Sequence, residues 1–164
     1  MTPATIRLAT PADLAAINDI FNYYVLHCTC TYQEEPETAA GRAAWFASHD
    51  ARHPITVAEL AGQVVGWGAL SQFRLQAAYR HTVENSVYIH PEFHRRGIGR
   101  ALLADLIQRG RAAGHHAILA LISAEQAPSL ALHAAFGFQQ VAHLREVGFK
   151  HRQWLDVIYM ELPL

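Results

Sequence analysis

A predicted strand, a loop and a predicted helix follow one another at residues 82–113 and bring together groups that can hold a phosphate. The loop contains Gly97 and Gly99 and leads directly into a strongly helical stretch that ends near Ala113. A helix N-terminus offers unpaired backbone N–H groups and the positive end of the helix dipole to an anion. Three arginines add charge beside those donors: Arg95, Arg96 and Arg100. The junction therefore predicts a site for a phosphate or pyrophosphate group.

Two common phosphate-binding motifs do not fit this junction. Leu102 stands where the dinucleotide fingerprint needs its third glycine, and no Gly-Lys-Ser/Thr follows for a P-loop. A Gly-x-Gly pair alone is weak evidence, because glycines also occur at helix starts for steric reasons. The loop therefore indicates another phosphate carrier.

Residues 87–103, VYIHPEFHRRGIGRALL, resemble the acetyl-CoA signature of the GNAT N-acetyltransferases. The resemblance implies that backbone amides from about Arg95 to Arg100 hold the pyrophosphate of coenzyme A. The family has Gln or Arg where His94 stands, but backbone amides do not require a particular side chain there. The cofactor-binding residues implied are Val87, Tyr88, Ile89, His94, Arg95, Arg96, Gly97, Ile98, Gly99, Arg100, Gln126 and Ser129.

The resemblance covers essentially the whole chain. Residues 129–138, SLALHAAFGF, are similar to a second segment of the family, in which an Asn stands where this chain has Gln126. Residues 79–88, YRHTVENSVY, and 147–157, VGFKHRQWLDV, resemble the phosphinothricin and methionine sulfoximine N-acetyltransferases, which acetylate the α-amino group of small amino-acid analogues. The implied fold is mixed α/β, a mostly antiparallel sheet flanked by helices, with splayed strands that form the acetyl-CoA cleft.

The same resemblance suggests two catalytic residues for direct acetyl transfer in a ternary complex. Glu84 lies at the strand expected to carry acetyl-CoA and could remove the ammonium proton directly or through one water. His133 occupies the position at which many of these enzymes carry a tyrosine acid, and an imidazole can give or take a proton near neutral pH. The alternatives are a solvated surface glutamate and a histidine packed on a helix face. A backbone N–H of residues 87–89 would polarise the thioester carbonyl.

The predicted amino-acid pocket lies across the cleft from acetyl-CoA. Its implied residues are Phe73, Arg74, Leu75, Val83, Glu84 and Asn85. Arg74, or alternatively Arg80, could form a forked contact with the substrate carboxylate, although either could equally be a solvated arginine. Cys30 and Tyr32 follow the first predicted helix and are placed in the pocket wall.

The apolar periodicity predicts one N-acetyltransferase domain over residues 1–164 with the order β-α-α-β-β-β-α-β-α-β-β. Thr10, Pro11 and Asp13 are typical of a helix start, and the helix should reach about His27. The later elements are expected at residues 37–48, 55–60, 64–70, 82–89, 100–113, 117–122, 128–136, 141–147 and 154–162. The cofactor cleft should open between the strand ending near Ile89 and the strand at 117–122.

Composition excludes several other classes. The net charge is −1, and no segment is long and apolar enough for a membrane span, so neither nucleic acid nor a membrane is an expected partner. The 11 histidines form no recognisable ligand set, no metal is expected, and no serine-hydrolase elbow occurs. Cys28 and Cys30 are interpreted as reduced, semi-buried side chains, and the protein is expected to be cytoplasmic and homodimeric.

Two other hypotheses remain open at this point. The enzyme could acetylate another amine, such as a protein N-terminus, a polyamine or an aminoglycoside. The chain could instead be a non-catalytic module that binds coenzyme A. A polycation substrate would favour an acidic groove, whereas the acids Glu34, Glu35 and Glu37 form only a short cluster. A small substrate with a carboxylate agrees better with Arg74 and Arg80.

Overall fold

A seven-stranded sheet organises the protein in the computed structural model, which describes residues 4–164. The strand order is β1-β2-β3-β4-β5-β7-β6, and only the β4–β5 pair is parallel. The strands are β1 (Thr5–Leu8), β2 (Ile55–Leu60), β3 (Gln63–Gln72), β4 (Thr82–Ile89), β5 (Ala117–Ser123), β6 (Gln139–Lys150) and β7 (Gln153–Pro163). This arrangement is the mixed, mostly antiparallel sheet that the sequence predicted.

Within residues 4–164, four α-helices cover the two faces of the sheet. They are α1 (Leu14–His27), α2 (Ala39–Ala47), α3 (Ile98–Ala112) and α4 (Ala127–Ala134). Side chains of α3 and α4 pack on one face with Val83, Ile118 and Ile158, whereas α1 and α2 cover the other face around Val57 and Trp67. Because side chains alternate along a strand, β4 supplies Val83 to the first core and Tyr88 to the second. Among residues 4–164, none of the helices combines the length and apolar character needed to cross a bilayer.

The parallel strands separate after three residue pairs. β4 pairs with β5 only from Thr82 to Glu84, opposite Ala117 to Leu119. Beyond Glu84, β4 remains paired with β3 as far as Ile89, while its other edge loses its strand partner. The sheet therefore opens into a V between β4 and β5, as the sequence predicted.

The predicted order of helices and strands is confirmed, and the differences lie at element ends. Thr10 and Asp13 begin the first helical segment as expected, with the Thr10 N–H donating to Asp13 Oδ2 at 2.7 Å. The second helix begins at Ala39 rather than Glu37, because Thr38 is its cap and its Oγ1 accepts the Gly41 N–H at 2.9 Å. Glu37 stays outside the helix, where its carbonyl oxygen accepts hydrogen bonds from two α1 asparagines, Asn18 and Asn22.

Candidate active site

A cavity of about 990 Å³ occupies the V between β4 and β5. Its walls come from the free edge of β4, the second half of β5, the starts of α3 and α4, the segment after α1, and β6 and β7. We call the part beside the start of α3 the phosphate end, and the part beside Glu84 the amine end. One cavity thus joins an anion-binding helix start to a carboxylate.

The phosphate end is built mainly from backbone. Gly97 caps α3 with φ +78°, and Ala101 donates the first intrahelical hydrogen bond to Gly97 O at 3.0 Å. The N–H groups of Ile98, Gly99 and Arg100 precede that bond and are therefore left without helical partners. Arg95 also has a positive φ, of 59°, so the loop turns twice before the helix begins. This geometry fits a pyrophosphate held by backbone amides.

Glu84 marks the amine end, at the last residue pair before β4 and β5 separate. Its side chain is half-buried and lines the cavity. Burial raises the pKa of the carboxyl group, since desolvation penalises its charged form. No ion pair involves Glu84 in the part of the chain that the structure describes. A carboxylate in this setting binds a proton more readily than an exposed one, as a general base requires.

His133 faces the cavity from α4 and is bound at both ring nitrogens. Its Nδ1–H donates to Ser129 O at 2.8 Å, because a carbonyl oxygen can only accept. In the neutral ring Nε2 therefore carries a lone pair, which accepts the Asn85 Nδ2–H at 2.9 Å. Burial lowers the pKa of His133, which favours this neutral form. The resting geometry thus makes His133 a fixed acceptor that orients Asn85, and it gives no support to the proton-donor role, which stays a prediction.

The remaining wall of the amine end consists of two anchored segments. The first is residues 28–32, here called the cysteine segment, in which the Tyr32 hydroxyl donates to Asp156 O at 2.9 Å. The second is the β6 bulge at residues 145–147, where the pairing register with β7 shifts. Asp156 Oδ1 accepts the Glu146 N–H at 2.8 Å and thereby holds the bulge. Cys30 and Tyr32 line the cavity, as the sequence predicted.

The structure gathers most of the predicted site residues in this cavity. They are Glu84, Asn85, Val87, Tyr88, Ile89, His94, Arg95, Gly97, Ile98, Gly99, Arg100, Gln126, Ser129 and His133. Arg96 stands apart, and its guanidinium lies 4.9 Å from the Phe93 ring.

Four residues predicted for the amino-acid pocket do not line the cavity formed by the described residues: Phe73, Arg74, Leu75 and Val83. Val83 is fully buried in the core, because its side chain points to the α3 face. The Arg74 guanidinium lies over the rings of Phe73 and Tyr79, and Leu75 is 88% exposed. The predicted carboxylate contact of Arg74 therefore stays a prediction.

Sequence reasoning missed Tyr24 as a residue of the site. Its hydroxyl donates to Ile89 O and lies 2.7 Å from His94 Nε2. Since the single hydroxyl proton goes to the carbonyl, His94 Nε2–H donates to the Tyr24 oxygen. Tyr24 was assigned to the core face of α1, and nothing local in the sequence indicates a contact with residues 65 and 70 positions away.

The sequence and the fold of this chain are similar to those of known acetyltransferases. Residues 17–138 match the acetyltransferase (GNAT) family. The chain is 39% identical to the L-amino acid N-acyltransferase MnaT of Escherichia coli and 38% identical to the L-methionine sulfoximine/L-methionine sulfone acetyltransferase of Salmonella typhimurium, in each case over 98% of this chain and 94% of the relative. The crystal structure of a phosphinothricin acetyltransferase from Sinorhizobium meliloti in complex with acetyl-CoA superposes with a TM-score of 0.96 at 39% identity, over 99% of this chain and 89% of that one.

Proposed function

Because the chain belongs to the acetyltransferase (GNAT) family, we propose that it transfers the acetyl group of acetyl-CoA to the α-amino group of a small amino acid or analogue. Phosphinothricin, methionine sulfoximine and methionine sulfone are the substrate types that the named relatives indicate. The observation that carries the proposal is the shared cavity, in which a half-buried carboxylate and an anion-binding helix start lie at opposite ends.

The phosphate end and the free edge of β4 fit coenzyme A. The N–H groups at the start of α3 would hold the pyrophosphate, with Arg95 and Arg100 supplying charge beside them. Among the described residues, the edge of β4 beyond Glu84 has no strand partner, and only Ile89 O is engaged there, by the Tyr24 hydroxyl. This edge can align an extended amide-containing arm as a neighbouring strand would. When bound, acetyl-CoA supplies an acetyl group activated as a thioester.

Glu84 would act as the general base. Its carboxylate takes the proton from the substrate ammonium, directly or through one water, and so frees the nitrogen lone pair for attack. A backbone N–H of β4 would stabilise the charge that develops on the carbonyl oxygen. The amine itself is the nucleophile, so no covalent enzyme intermediate is required.

His133 fits this scheme as an orienting group for Asn85. Its two hydrogen bonds fix the Asn85 amide with Nδ2 toward the ring, and leave Asn85 Oδ1 without a partner among the described residues. Because Nε2 can only accept in this tautomer, turning the amide over would set Asn85 Oδ1 against a lone pair, so the donor Nδ2 stays toward the ring. The predicted transfer of a proton from His133 to the leaving thiolate would first require protonation of Nε2 and loss of the Asn85 contact.

We also propose that the protein acts as a homodimeric, cytoplasmic enzyme with one catalytic domain over residues 1–164 and no metal requirement. Support for a homodimer comes from apolar side chains along β6 and β7 that are 54–62% exposed, namely Val141, Val147, Phe149 and Trp154. Light scattering after size-exclusion chromatography tests the oligomeric state, and Trp154→Glu should shift it toward monomer. Treatment with a chelator should leave the acetylation rate unchanged.

The function is tested by release of free thiol from acetyl-CoA in the presence of different amines. The panel comprises methionine sulfoximine, methionine sulfone, phosphinothricin, ordinary amino acids, a polyamine and an aminoglycoside. We expect release with the first three, and mass spectrometry should locate the acetyl group on the α-nitrogen. Release only with the polyamine or aminoglycoside would overturn the substrate class. Silence with every amine despite measurable coenzyme A binding would favour the non-catalytic module.

A further inference from the structure

The cysteine segment connects the end of α1 to the amine end of the cavity. Cys28 follows α1 directly, and its N–H donates to Tyr24 O at 3.0 Å. Cys30 lines the cavity, as do Thr31 and Tyr32. The two thiols are thus attached to the strip of chain that shapes this wall, and the proposed acetyl transfer uses neither of them.

The sulfur of Cys28 is surrounded by hydrogen-bond donors. The Cys30 backbone N–H donates to Cys28 Sγ at 3.1 Å, and the Gln126 Nε2 amide donates to the same sulfur at 3.6 Å. Two donors directed at one sulfur stabilise the thiolate over the thiol. This environment distinguishes Cys28 from an inert buried cysteine.

Lys150 places a positive charge beside the same segment. The side chain is 2% exposed, and its Nζ donates to Cys28 O and to Thr31 O, each at 2.8 Å. Among residues 4–164 no carboxylate forms an ion pair with this ammonium group. A buried cation held only by carbonyl oxygens favours an anion nearby. Consistently, the hydrogen bond from the Cys30 thiol, followed by the Cys30 N–H and the Lys150 charge, lowers the pKa of Cys28, whereas the same contact with Cys28 and then burial raise the pKa of Cys30.

The two cysteines are also within reach of each other. Two residues of chain span at most about 7 Å between Cα atoms, and the backbone bends at residues 29–31. A disulfide needs a Cα separation of roughly 4.4–6.8 Å. The contact of the Cys30 N–H with Cys28 Sγ shows that the Cys28 side chain already turns toward residue 30.

We propose that Cys28 and Cys30 are a redox-active pair, in which Cys28 reacts with a hydroperoxide and Cys30 resolves the product into a disulfide. The Cys28 thiolate attacks one peroxide oxygen, the O–O bond breaks, and the other oxygen leaves as an alcohol, or as water from hydrogen peroxide, after taking a proton. Cys28 is then a sulfenic acid. The Cys30 sulfur attacks it, the S–S bond forms, and hydroxide leaves with the Cys30 proton as water. One peroxide is reduced and two thiols are oxidised.

Closure of this disulfide would alter the amine end of the cavity. Thr31 and Tyr32 directly follow Cys30 and line the wall, and the Tyr32 ring packs against Gly148. A Cβ built at Gly148 would lie 2.5 Å from a Tyr32 ring carbon, so the ring lies directly against the β6 backbone and cannot shift toward it. Pulling Cys30 toward Cys28 should displace this wall and reduce acetylation. This second half of the proposal depends on the proposed acetyltransferase activity.

The first test uses intact-mass spectrometry of the purified protein before and after treatment with hydrogen peroxide. The chain has only two cysteines, so an internal disulfide can join no other pair. We expect a loss of about 2 Da per chain, for the two hydrogens removed when the disulfide forms, and its reversal by dithiothreitol. Gain of oxygen atoms without that loss, or a disulfide between chains on a non-reducing gel, would overturn the pairing.

Two variants separate the roles of the cysteines. In Cys30→Ser the sulfenic acid on Cys28 should persist and be captured by dimedone, whereas Cys28→Ser should show little capture. Equal capture of dimedone by the two variants would contradict the assignment of Cys28 as the thiol that reacts with peroxide and Cys30 as the thiol that resolves the product. These readouts require no substrate, so they test the redox pair even if the proposed acetyl transfer fails.

The consequence for activity is measured separately, with each protein compared with its own untreated sample. Peroxide should remove most of the acetylation rate of the unaltered protein, and dithiothreitol should restore it, while Cys28→Ser should keep most of its initial rate. Full activity in a sample shown by mass to be disulfide-bonded would overturn the effect on the amine end.

Discussion

The phosphate end and the amine end of the cavity are built from different parts of the chain. The phosphate end depends on consecutive backbone groups in residues 95–100, set by a turn and a helix start. The amine end depends on side chains from distant positions: Glu84 on β4, Tyr32 after α1, His133 on α4 and Asp156 on β7. A short motif can specify the first, whereas only the tertiary fold can assemble the second.

The two ends also differ in how their polar groups are satisfied. At the phosphate end the chain leaves N–H groups unpaired at an exposed helix start, where water can satisfy them until a ligand arrives. The amine end instead holds buried polar groups in place, such as Lys150 and Asn85, and each depends on specific partners. We therefore expect side-chain substitutions to have large effects at the amine end and small ones at the phosphate end.

The largest effect is expected for Glu84→Gln. The amide keeps the shape of the side chain but cannot accept the ammonium proton, so turnover should fall by about 10²-fold or more. The KM for acetyl-CoA should change little. Because burial raises the pKa of Glu84, the rate of the unaltered enzyme should increase as pH rises through that raised value, where the carboxylate becomes available. In Glu84→Gln this decrease in rate at low pH should disappear. Steady-state kinetics across pH measures it. Glu84 is not the base if the variant keeps both the low-pH decrease and the turnover of the unaltered enzyme.

The second prediction concerns Lys150→Met. The substitution leaves the buried oxygens of Cys28 and Thr31 without their donor, which should cost about 1–3 kcal/mol of unfolding free energy. Chemical denaturation measures the loss. Arg111→Met, on the exposed surface of α3, is the matched control and should cost no more than about 1 kcal/mol. Equal losses in the two variants would show that Lys150 does not anchor the cysteine segment.

The two ends also differ in what the sequence could reveal. The amphipathic pattern of α1, with Ile17 and Ile20 buried, and the glycine loop before α3 are local signals, so the element order and the phosphate end were predictable. The separation of β4 from β5 after Glu84 was predicted from the family resemblance rather than from any pattern of residues.

What the sequence could not reveal depends on contacts between distant positions. Lys150 is the one lysine of the chain, yet nothing near it indicates burial against residues 28–31. The β6 bulge depends on a hydrogen bond from Glu146 to Asp156, and a register shift of this kind leaves no mark in residue type. For His133, the choice between a catalytic and a packed role could be approached only after the partners of both ring nitrogens were known.

The third prediction compares one substitution at each end, Gly148→Ala and Gly97→Ala. At Gly148 the new methyl group would meet the Tyr32 ring at 2.5 Å, so the ring must move, and the KM for the amine should rise several-fold with a stability loss of about 1–3 kcal/mol. At Gly97 no atom lies within 4 Å of the new Cβ, and the cost is that of a positive φ, about 1–2 kcal/mol, with a modest rise in the KM for acetyl-CoA.

Gly62→Ala is the control for these two substitutions. Gly62 has a similar φ and open surroundings away from the cavity, so the variant should lose stability without changing either KM. A rise in the amine KM for Gly97→Ala as large as for Gly148→Ala would contradict the separation of the two ends.

The smallest effect is expected for His94→Gln, which installs a residue that the family pattern carries at this position. The imidazole contacts Tyr24 rather than building the loop, and the backbone N–H groups at the start of α3 remain in place. The hydrogen bond that is lost joins His94 to Tyr24 and not to the cofactor. Its cost of about 0.5–1.5 kcal/mol therefore falls mainly on folding stability, and the KM for acetyl-CoA should change by less than about threefold. His94→Asp provides the contrast, because a carboxylate beside the pyrophosphate would repel it and should raise that KM more than about tenfold. Should His94→Gln itself raise the KM as far as His94→Asp, the phosphate end would depend on a side chain as the amine end does, and the distinction between them would fail.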